Sequence, residues 1–185
     1  KSKNMIAYPY YNTTITQNGV TFTDNKDGTI TVNGTATADT FFRVHYAKTD
    51  YVLELEPGTY TISDFSGTSN GRVELLGSYD NQSTWSTFAA CNNDGKATFT
   101  ITQKAIVRAS IKVYNGKTYN NVVFKPQLEK GSVATAFEKY NPGANLLWIN
   151  TDTAISNWSF GAEEPNFYNL STRTEGDAHT IMAPH

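Results

Sequence analysis

The sequence predicts an all-β protein, a β-sandwich or jelly roll, from three observations. Hydrophobic residues make up 38% and charged residues 17% of the 185-residue chain, and Thr, Asn, Ser, Gly and Tyr take up the difference. Such a composition suits half-buried pleated surfaces joined by tight turns. Short alternating segments recur between turn residues. No segment shows the 3.6-residue period of a helix, so a nucleotide-binding loop or other helix-borne motif has no place here.

About ten strands are predicted, each bounded by turn residues. Asp27-Gly28 predicts the first hairpin, because glycine tolerates the positive φ of a primed turn. Pro57-Gly58 separates two later strands. In chain order the predicted strands lie in GVTFTDN, TITVNGTAT, TFFRVHYA, YVLELEPG, GTYTISDF, RVELLGSYD, STWSTFAA, KATFTITQ, AIVRASIKVY and YNNVVFKPQLE.

Alternation along the strands assigns each residue to one face of its sheet, because successive side chains point to opposite sides. The residues predicted to face the core are Val73, Leu75, Phe99, Ile101, Val107, Ala109, Ile111, Val113, Phe124, Pro126 and Leu128. The residues predicted to point outward are Arg72, Glu74, Ser78, Thr98, Thr100, Thr102, Arg108, Ser110, Lys112 and Tyr114. Several strands therefore combine an apolar side with a polar side that carries Arg, Glu, Lys and Tyr.

The chain is predicted to contain one complete module, residues 1–140, and a further segment, residues 141–185. FKPQLEKGSVATAFEKY ends a terminal strand, turns at Lys130-Gly131 and lays Phe137 and Tyr140 across the sandwich. Asn141-Pro142-Gly143 then predicts a linker. The last 45 residues are too few for a second sandwich of about 100 residues. We expect them to be the start of a second β module or an extension that packs on a neighbour.

Charge and cysteine content exclude some classes of function. The formal net charge of −2 argues against nucleic acid as a partner, because binding phosphates requires a basic face. It gives no support to binding at an anionic membrane surface either, and no apolar stretch reaches the length of a membrane span. The single cysteine, Cys91, cannot form an intramolecular disulfide. We expect it to be a small buried hydrophobic residue rather than a nucleophile.

Three stretches resemble a known family. The hairpin GVTFTDNKDGTITVNGTATA, the strand GTYTIS after LEPG and the closing FKPQLEKGSVATAFEKY are similar to the carbohydrate-binding-like modules of phage tail, baseplate and receptor-binding proteins of Gram-positive bacteria. The likeness runs from about Asn4 to Tyr140, and QLEKGSVAT is its most specific element. GANLLWINTD and ISNWSF look like the entry of a second such module.

The resemblance implies a β-sandwich of jelly-roll type displayed on a virion or cell-surface fibre, often as a homotrimer. The implied partners are a host surface glycan and other virion proteins, and no particular sugar is implied. Two alternatives remain open. The module is a structural spacer, oligomerisation or decoration domain without a ligand, or it is an accessory domain of a cell-wall or polysaccharide hydrolase. The apolar stretch ANLLW and the aromatic tail SNWSFGAEEPNFYNL favour the structural alternative.

Sugar recognition requires aromatic faces that stack on a pyranose and planar polar groups that bridge hydroxyl pairs. The candidate ligand-binding residues are Trp85, Arg43, Tyr46, Arg72, Glu74, Tyr79, Arg108, Lys112 and Tyr114. For any one of them the competing interpretation is an ordinary solvated sheet face. Trp85 is the strongest candidate, because it lies in the Ser/Thr-rich loop NQSTWSTF, where no core requires it.

Metal binding and catalysis have weaker support. Asp24, Asn25 and Asp27 provide oxygen ligands for a structural calcium, but they lack the twelve-residue loop pattern, and hairpin chemistry explains them. Glu129 is a possible ligand or, more simply, a capping carboxylate. A glycosidase requires two suitably spaced carboxylates, which sequence cannot place among Glu54, Glu56, Glu74 and Asp80. His45, His179 and His185 lack zinc-ligand spacing. We therefore expect no catalytic activity and no cofactor.

Overall fold

The computed structural model describes residues 2–46, 53–91 and 94–141. Within these ranges the backbone forms twelve β-strands and no helix, which confirms the all-β prediction. A helix able to span a membrane is accordingly absent from the same ranges. The strands are β1 (Ile15–Gln17), β2 (Val20–Asp24), β3 (Ile30–Thr35), β4 (Thr40–Arg43), β5 (Leu53–Leu55), β6 (Gly58–Ser63), β7 (Gly71–Ser78), β8 (Ser86–Ala90), β9 (Lys96–Ile101), β10 (Ala105–Val113), β11 (Thr118–Phe124) and β12 (Gln127–Lys130).

Sheet I contains four antiparallel strands in the order β1-β2-β3-β11. The predicted hairpin joins β2 to β3, and Gly28 in its turn has a φ of 88°, which favours glycine. Phe22 and Val32 lie opposite each other in this hairpin, and both are fully buried. β1 pairs with β2 at the edge of the sheet and was not among the predicted strands.

Sheet II is built around β10, which pairs with β4 and β5 along one edge and with β7 along the other. β8 extends the sheet beyond β7. Val107, Ala109, Ile111 and Val113 are all fully buried, as their alternation predicts. The residues between them in sequence therefore lie on the opposite side of the sheet, which we call the outer face.

Sheet III contains three antiparallel strands in the order β12-β6-β9. The sequence predicts one continuous strand where the structure has β11 and β12, separated by Lys125 and Pro126. Pro126 interrupts the strand because proline has no N–H to donate to a sheet. Beyond this break the chain leaves β3 and pairs with β6 instead.

The three sheets share one hydrophobic core. Phe22 of sheet I contacts Phe42 of sheet II, with ring centroids 5.7 Å apart. Phe88 of sheet II contacts Phe99 of sheet III at 6.4 Å. Sheet II thus packs against both other sheets, and the predicted β-sandwich is confirmed. The jelly-roll type of connection stays a prediction.

Three residues predicted to point into solvent are buried instead: Glu74, Ser78 and Ser110. Their faces are as predicted, because Ser110 pairs with Glu74 in β7 and β10 on the outer face. Local contacts account for the burial of two of them. Glu74 is held by an ion pair with Arg72, and the Ser78 hydroxyl binds the loop that follows β7.

The closing stretch QLEKGSVAT forms a buried polar network. Gln127 donates to Glu129 Oε2 at 2.9 Å, and its own Oε1 accepts the backbone N–H of Glu138 at 2.7 Å. The Asn4 side chain donates to the carbonyls of Pro126 and Glu138. The backbone N–H of Leu128 also donates to Asn4 Oδ1 at 3.2 Å, so these bonds join the first residues of the module to its last strand.

The residues considered for calcium take part in local hydrogen bonds. Asp24 accepts from Tyr8 and Lys26, and Asp27 accepts from Thr29 twice, as hairpin chemistry predicts. Glu129 caps the loop after β12. Within residues 2–46, 53–91 and 94–141, no group of three or more His, Cys, Asp or Glu residues could hold a metal ion. Pro142 and Gly143 of the predicted linker, the second module, ANLLW, His179 and His185 lie outside the described residues.

Candidate functional site

The strand register of sheet II brings most of the candidate residues together on the outer face. Arg43, Ser110 and Glu74 form one row across β4, β10 and β7, and Phe41, Lys112 and Arg72 form the next row. Side chains paired across antiparallel strands lie on the same face. With the residues that contact them, they form what we call the outer patch: Tyr11, Phe41, Arg43, Tyr46, Arg72, Glu74, Trp85, Arg108, Ser110, Lys112 and Tyr114.

Trp85 and Arg108 stack on each other at one end of the patch. The guanidinium carbon of Arg108 lies 4.3 Å from the centroid of the indole ring, which is within the range of a cation–π interaction. Arg108 Nε is buried and has no hydrogen-bond partner among the described residues. Burial lowers the pKa of the Arg108 guanidinium, and the nearby Arg43 charge lowers it further.

The loop between β7 and β8 holds Trp85 in place. Asp80 accepts hydrogen bonds from the Ser78 hydroxyl, the Thr84 hydroxyl and the Thr84 backbone N–H, at 2.7, 2.7 and 2.9 Å. The bonds from Thr84, followed by the bond from Ser78, lower the pKa of Asp80 to about 2. Asn81 and Gln82 adopt left-handed backbone conformations in the same loop. An Asp-centred turn thus positions the tryptophan, although Trp85 itself belongs to no strand.

Arg43 and two tyrosines form the other half of the patch. The Arg43 guanidinium carbon lies 5.6 Å from the ring centroid of Tyr46, and Tyr46 stacks on Tyr11 at 4.8 Å. The Asn12 side chain accepts the Arg43 backbone N–H at 2.7 Å, and this contact fixes the segment that carries Tyr11 against β4. Tyr11 was not among the candidate residues predicted from the sequence. The aromatic stretch YPYY was visible, but no local pattern indicates which strand it meets.

The remaining charges of the patch are paired. Arg72 Nη2 lies 3.1 Å from Glu74 Oε2, and Lys112 Nζ lies 2.8 Å from Asp39 Oδ2. Lys112 also lies 5.4 Å from the Phe41 ring and 5.7 Å from the Tyr114 ring. These pairs hold charged groups next to the partly exposed rings of Phe41 and Tyr114.

Ser110 lies between the two arginines and the Arg72–Glu74 pair. It is 1% exposed, and its hydroxyl has no hydrogen-bond partner among the described residues. Buried polar side chains are satisfied in the great majority of cases, so an unpaired one requires an explanation.

Tyr79 does not belong to the patch. The ring centroids of Tyr79 and Phe88 are 4.9 Å apart. The Phe88 ring lies over Gly77, on the side of the sheet where a Cβ of Gly77 would point. Gly77 pairs with the core residue Val107 in the neighbouring strand. Because Ser78 faces outward, strand alternation already places Tyr79 on the other side. Tyr79 lines a separate cavity of about 210 Å³, together with Glu54, Ser78, Asn81, Lys104, Ala105 and Ile106.

A second cavity, of about 170 Å³, lies near Asp64, Phe65 and Asp94. The Asp64 carboxylate in this cavity already accepts three hydrogen bonds, from the Ser66 backbone N–H, the Ser66 hydroxyl and the Val73 backbone N–H. Neither cavity includes a residue of the outer patch. The patch lies on the outer face of sheet II, apart from both of these cavities.

No protein-family model matches the chain, and no curated protein matches it. The chemistry of the patch is thus the basis for assigning a function. It combines aromatic rings, guanidinium groups and one carboxylate on and beside the strands of sheet II. That combination can stack on a sugar ring and bridge pairs of hydroxyls.

Proposed function

We propose that the outer patch binds carbohydrate on a host cell surface. The observation that carries this proposal is the Trp85–Arg108 stack beside Arg43 and Tyr46. An indole held half-buried on a sheet offers an apolar surface for a pyranose, while the adjacent guanidinium groups offer several fixed donors for hydroxyl oxygens. The buried Ser110 hydroxyl supports the proposal, because it provides an unused polar group beneath the same surface.

The setting that we propose is a phage tail, baseplate or receptor-binding fibre. The resemblance of the hairpin, GTYTIS and QLEKGSVAT to carbohydrate-binding-like virion modules supports it. In this setting the sandwich is of jelly-roll type and lies on the surface of the virion. Its partners are other virion proteins and two further copies of the chain. The chain binds its glycan without cleaving it.

Affinity electrophoresis and a glycan array test the binding proposal. The wild-type chain is expected to bind at least one bacterial surface polysaccharide. Trp85→Ala is expected to weaken that binding at least about tenfold, because an aromatic anchor can carry a large share of binding energy. The matched control is Phe65→Ala, which removes another partly exposed aromatic ring, 42% exposed, that lies outside the patch.

Other outcomes of these experiments count against the proposal. A wild-type chain that binds no glycan but forms a stable trimer in sedimentation would favour the spacer, oligomerisation or decoration domain. Release of reducing sugar from a bound polysaccharide would favour a hydrolase. Equal weakening by Trp85→Ala and Phe65→Ala would remove the patch as the site.

A further inference from the structure

The outer patch carries more positive charge than its own carboxylates neutralise. Of its four cationic side chains, Arg72 pairs with Glu74 and Lys112 pairs with Asp39. Arg43 and Arg108 form no ion pair with any described carboxylate. The next acidic residue in the register is Glu54, which pairs with Ile106 in the strand ladder, and its carboxylate lies 2.7 Å from Lys104 Nζ.

The two unpaired guanidinium groups are close neighbours. Arg43 lies directly opposite Ser110, and Arg108 is two residues from Ser110 on the same strand. Such diagonal positions in a sheet are about 7–8 Å apart, within reach of long side chains. The pKa of Arg108 is lowered by burial and by Arg43, which agrees with this proximity. Two like charges held together on a partly buried surface are stabilised by an anion between them.

Each arginine is fixed in place by an aromatic ring. Trp85 covers Arg108 at 4.3 Å, and Tyr46 and Phe41 each lie 5.6 Å from Arg43. Ser110 lies between the two on the outer face, 1% exposed and with an unpaired hydroxyl. The arrangement provides two guanidinium forks, one hydroxyl donor and aromatic surfaces on either side. It fits an anionic group attached to a sugar ring better than it fits a neutral sugar.

We infer that the patch selects acidic carbohydrate, with a carboxylate or phosphate of the ligand bound between Arg43 and Arg108 and the sugar ring against Trp85. This inference rests on the proposed function. Carboxylates and phosphates share the geometry that guanidinium groups bind in a bidentate manner. The anionic group could therefore come from a uronate-containing or a phosphate-containing glycan, and the experiment must distinguish the two.

The test uses the full chain on an array of neutral, uronate-containing and phosphorylated bacterial glycans. A matched pair is added: polygalacturonate and its fully methyl-esterified form, in which the same sugar chain carries neutral methyl esters in place of carboxylates. At least one acidic glycan is expected to bind about tenfold or more tightly than any neutral one, because a hydrogen bond to a charged group is stronger than a neutral one. The array positions that bind identify carboxylate or phosphate as the anion.

Arg43→Gln and Arg108→Gln are each expected to remove that preference while circular dichroism and the melting temperature stay near those of the wild type. The control is the double variant Lys96→Gln/Lys130→Gln, which removes two charges from sheet III and is expected to keep the preference. The double variant removes two positive charges, whereas each arginine variant removes one. The comparison therefore separates a specific site from a general attraction to polyanions.

The outcomes separate the inference from the function on which it rests. If neutral glycans bind as tightly as acidic ones and Trp85→Ala abolishes both, the binding function stands and the acidic selectivity is wrong. If the sheet III double variant loses the preference as fully as the arginine variants, the preference is not local and the inference is wrong. If no glycan binds, the proposed function fails, and the inference fails with it.

Discussion

Glu129 and Thr135 form a paired contact that closes the loop after the last strand. The Thr135 backbone N–H donates to Glu129 Oε2 at 2.9 Å, and the Thr135 hydroxyl donates to Oε1 at 2.6 Å. Gln127 donates to the same Oε2. Glu129 is 3% exposed, so the carboxylate is satisfied by the protein rather than by water. This contact gives the stretch QLEKGSVAT a structural role at the end of the module.

Glu129→Gln is expected to destabilise the fold by about 2–3 kcal/mol. The amide NH₂ of glutamine, a donor, replaces one carboxylate oxygen, an acceptor, in a buried site where the neighbouring groups are donors. Urea unfolding followed by circular dichroism measures this loss. Glu56→Gln, an exposed substitution of the same kind, is expected to change stability by less than about 0.5 kcal/mol. Equal stability of the two variants would contradict the role assigned to Glu129.

His45 is expected to make the fold less stable at mildly acid pH. It is 2% exposed, and burial lowers the pKa of its imidazole to about 4, whereas an unfolded histidine has a pKa of about 6.5. Between those two pH values the unfolded state binds a proton that the folded state does not, so stability falls as pH falls. The free energy of unfolding is expected to drop by about 2 kcal/mol from pH 7 to pH 5.

His45→Gln provides the control for that pH dependence, since glutamine does not titrate. Its unfolding free energy is expected to be nearly constant over the same interval, whatever its absolute value. Asp24, Asp27, Asp39 and Asp80 all have lowered pKa values, so their contributions are lost in more acid solution. An equally steep pH dependence in the variant would show that another group is responsible.

Cys91 is expected to be inert in the folded protein. The thiol is 4% exposed, and burial raises its pKa, with a smaller effect from Asp64. Because the thiolate is the reactive form, an aromatic disulfide reagent should modify the native chain far more slowly than the urea-unfolded chain. Since Cys91 is the single cysteine, the absorbance of the released thiolate reports on this site alone. Rapid modification of the native protein would contradict its burial.

The sequence predicts the strands and the core well, because alternation is a local property. Val107, Ala109, Ile111 and Val113 are buried as expected. The break between β11 and β12 was missed, although Pro126 was visible in the sequence. β1 was missed because it is short and lies at an edge, where little hydrophobic pattern is required.

Strand alternation predicted which face of the sheet several candidate residues occupy, but not the contacts between them; their role in binding stays a prediction. Alternation along β7 and β10 placed Arg72, Glu74, Arg108 and Lys112 on one face. It could not show that Tyr11 stacks on Tyr46, because that contact joins residues far apart in the chain. It also could not show that Ser110 is buried without a partner, since its surroundings come from neighbouring strands.

The most direct test of the account is a map of where the glycan contacts the protein. Isotope-labelled chain is titrated with an oligosaccharide of the tightest-binding array glycan, and amide chemical shifts are followed by nuclear magnetic resonance. If the outer patch binds the glycan, the largest changes lie at Arg43, Tyr46, Trp85, Arg108 and Ser110, and Trp85→Ala strongly reduces them at the same glycan concentration. Changes confined to sheet III or to the cavity near Asp64, with the outer patch unaffected, would contradict the account.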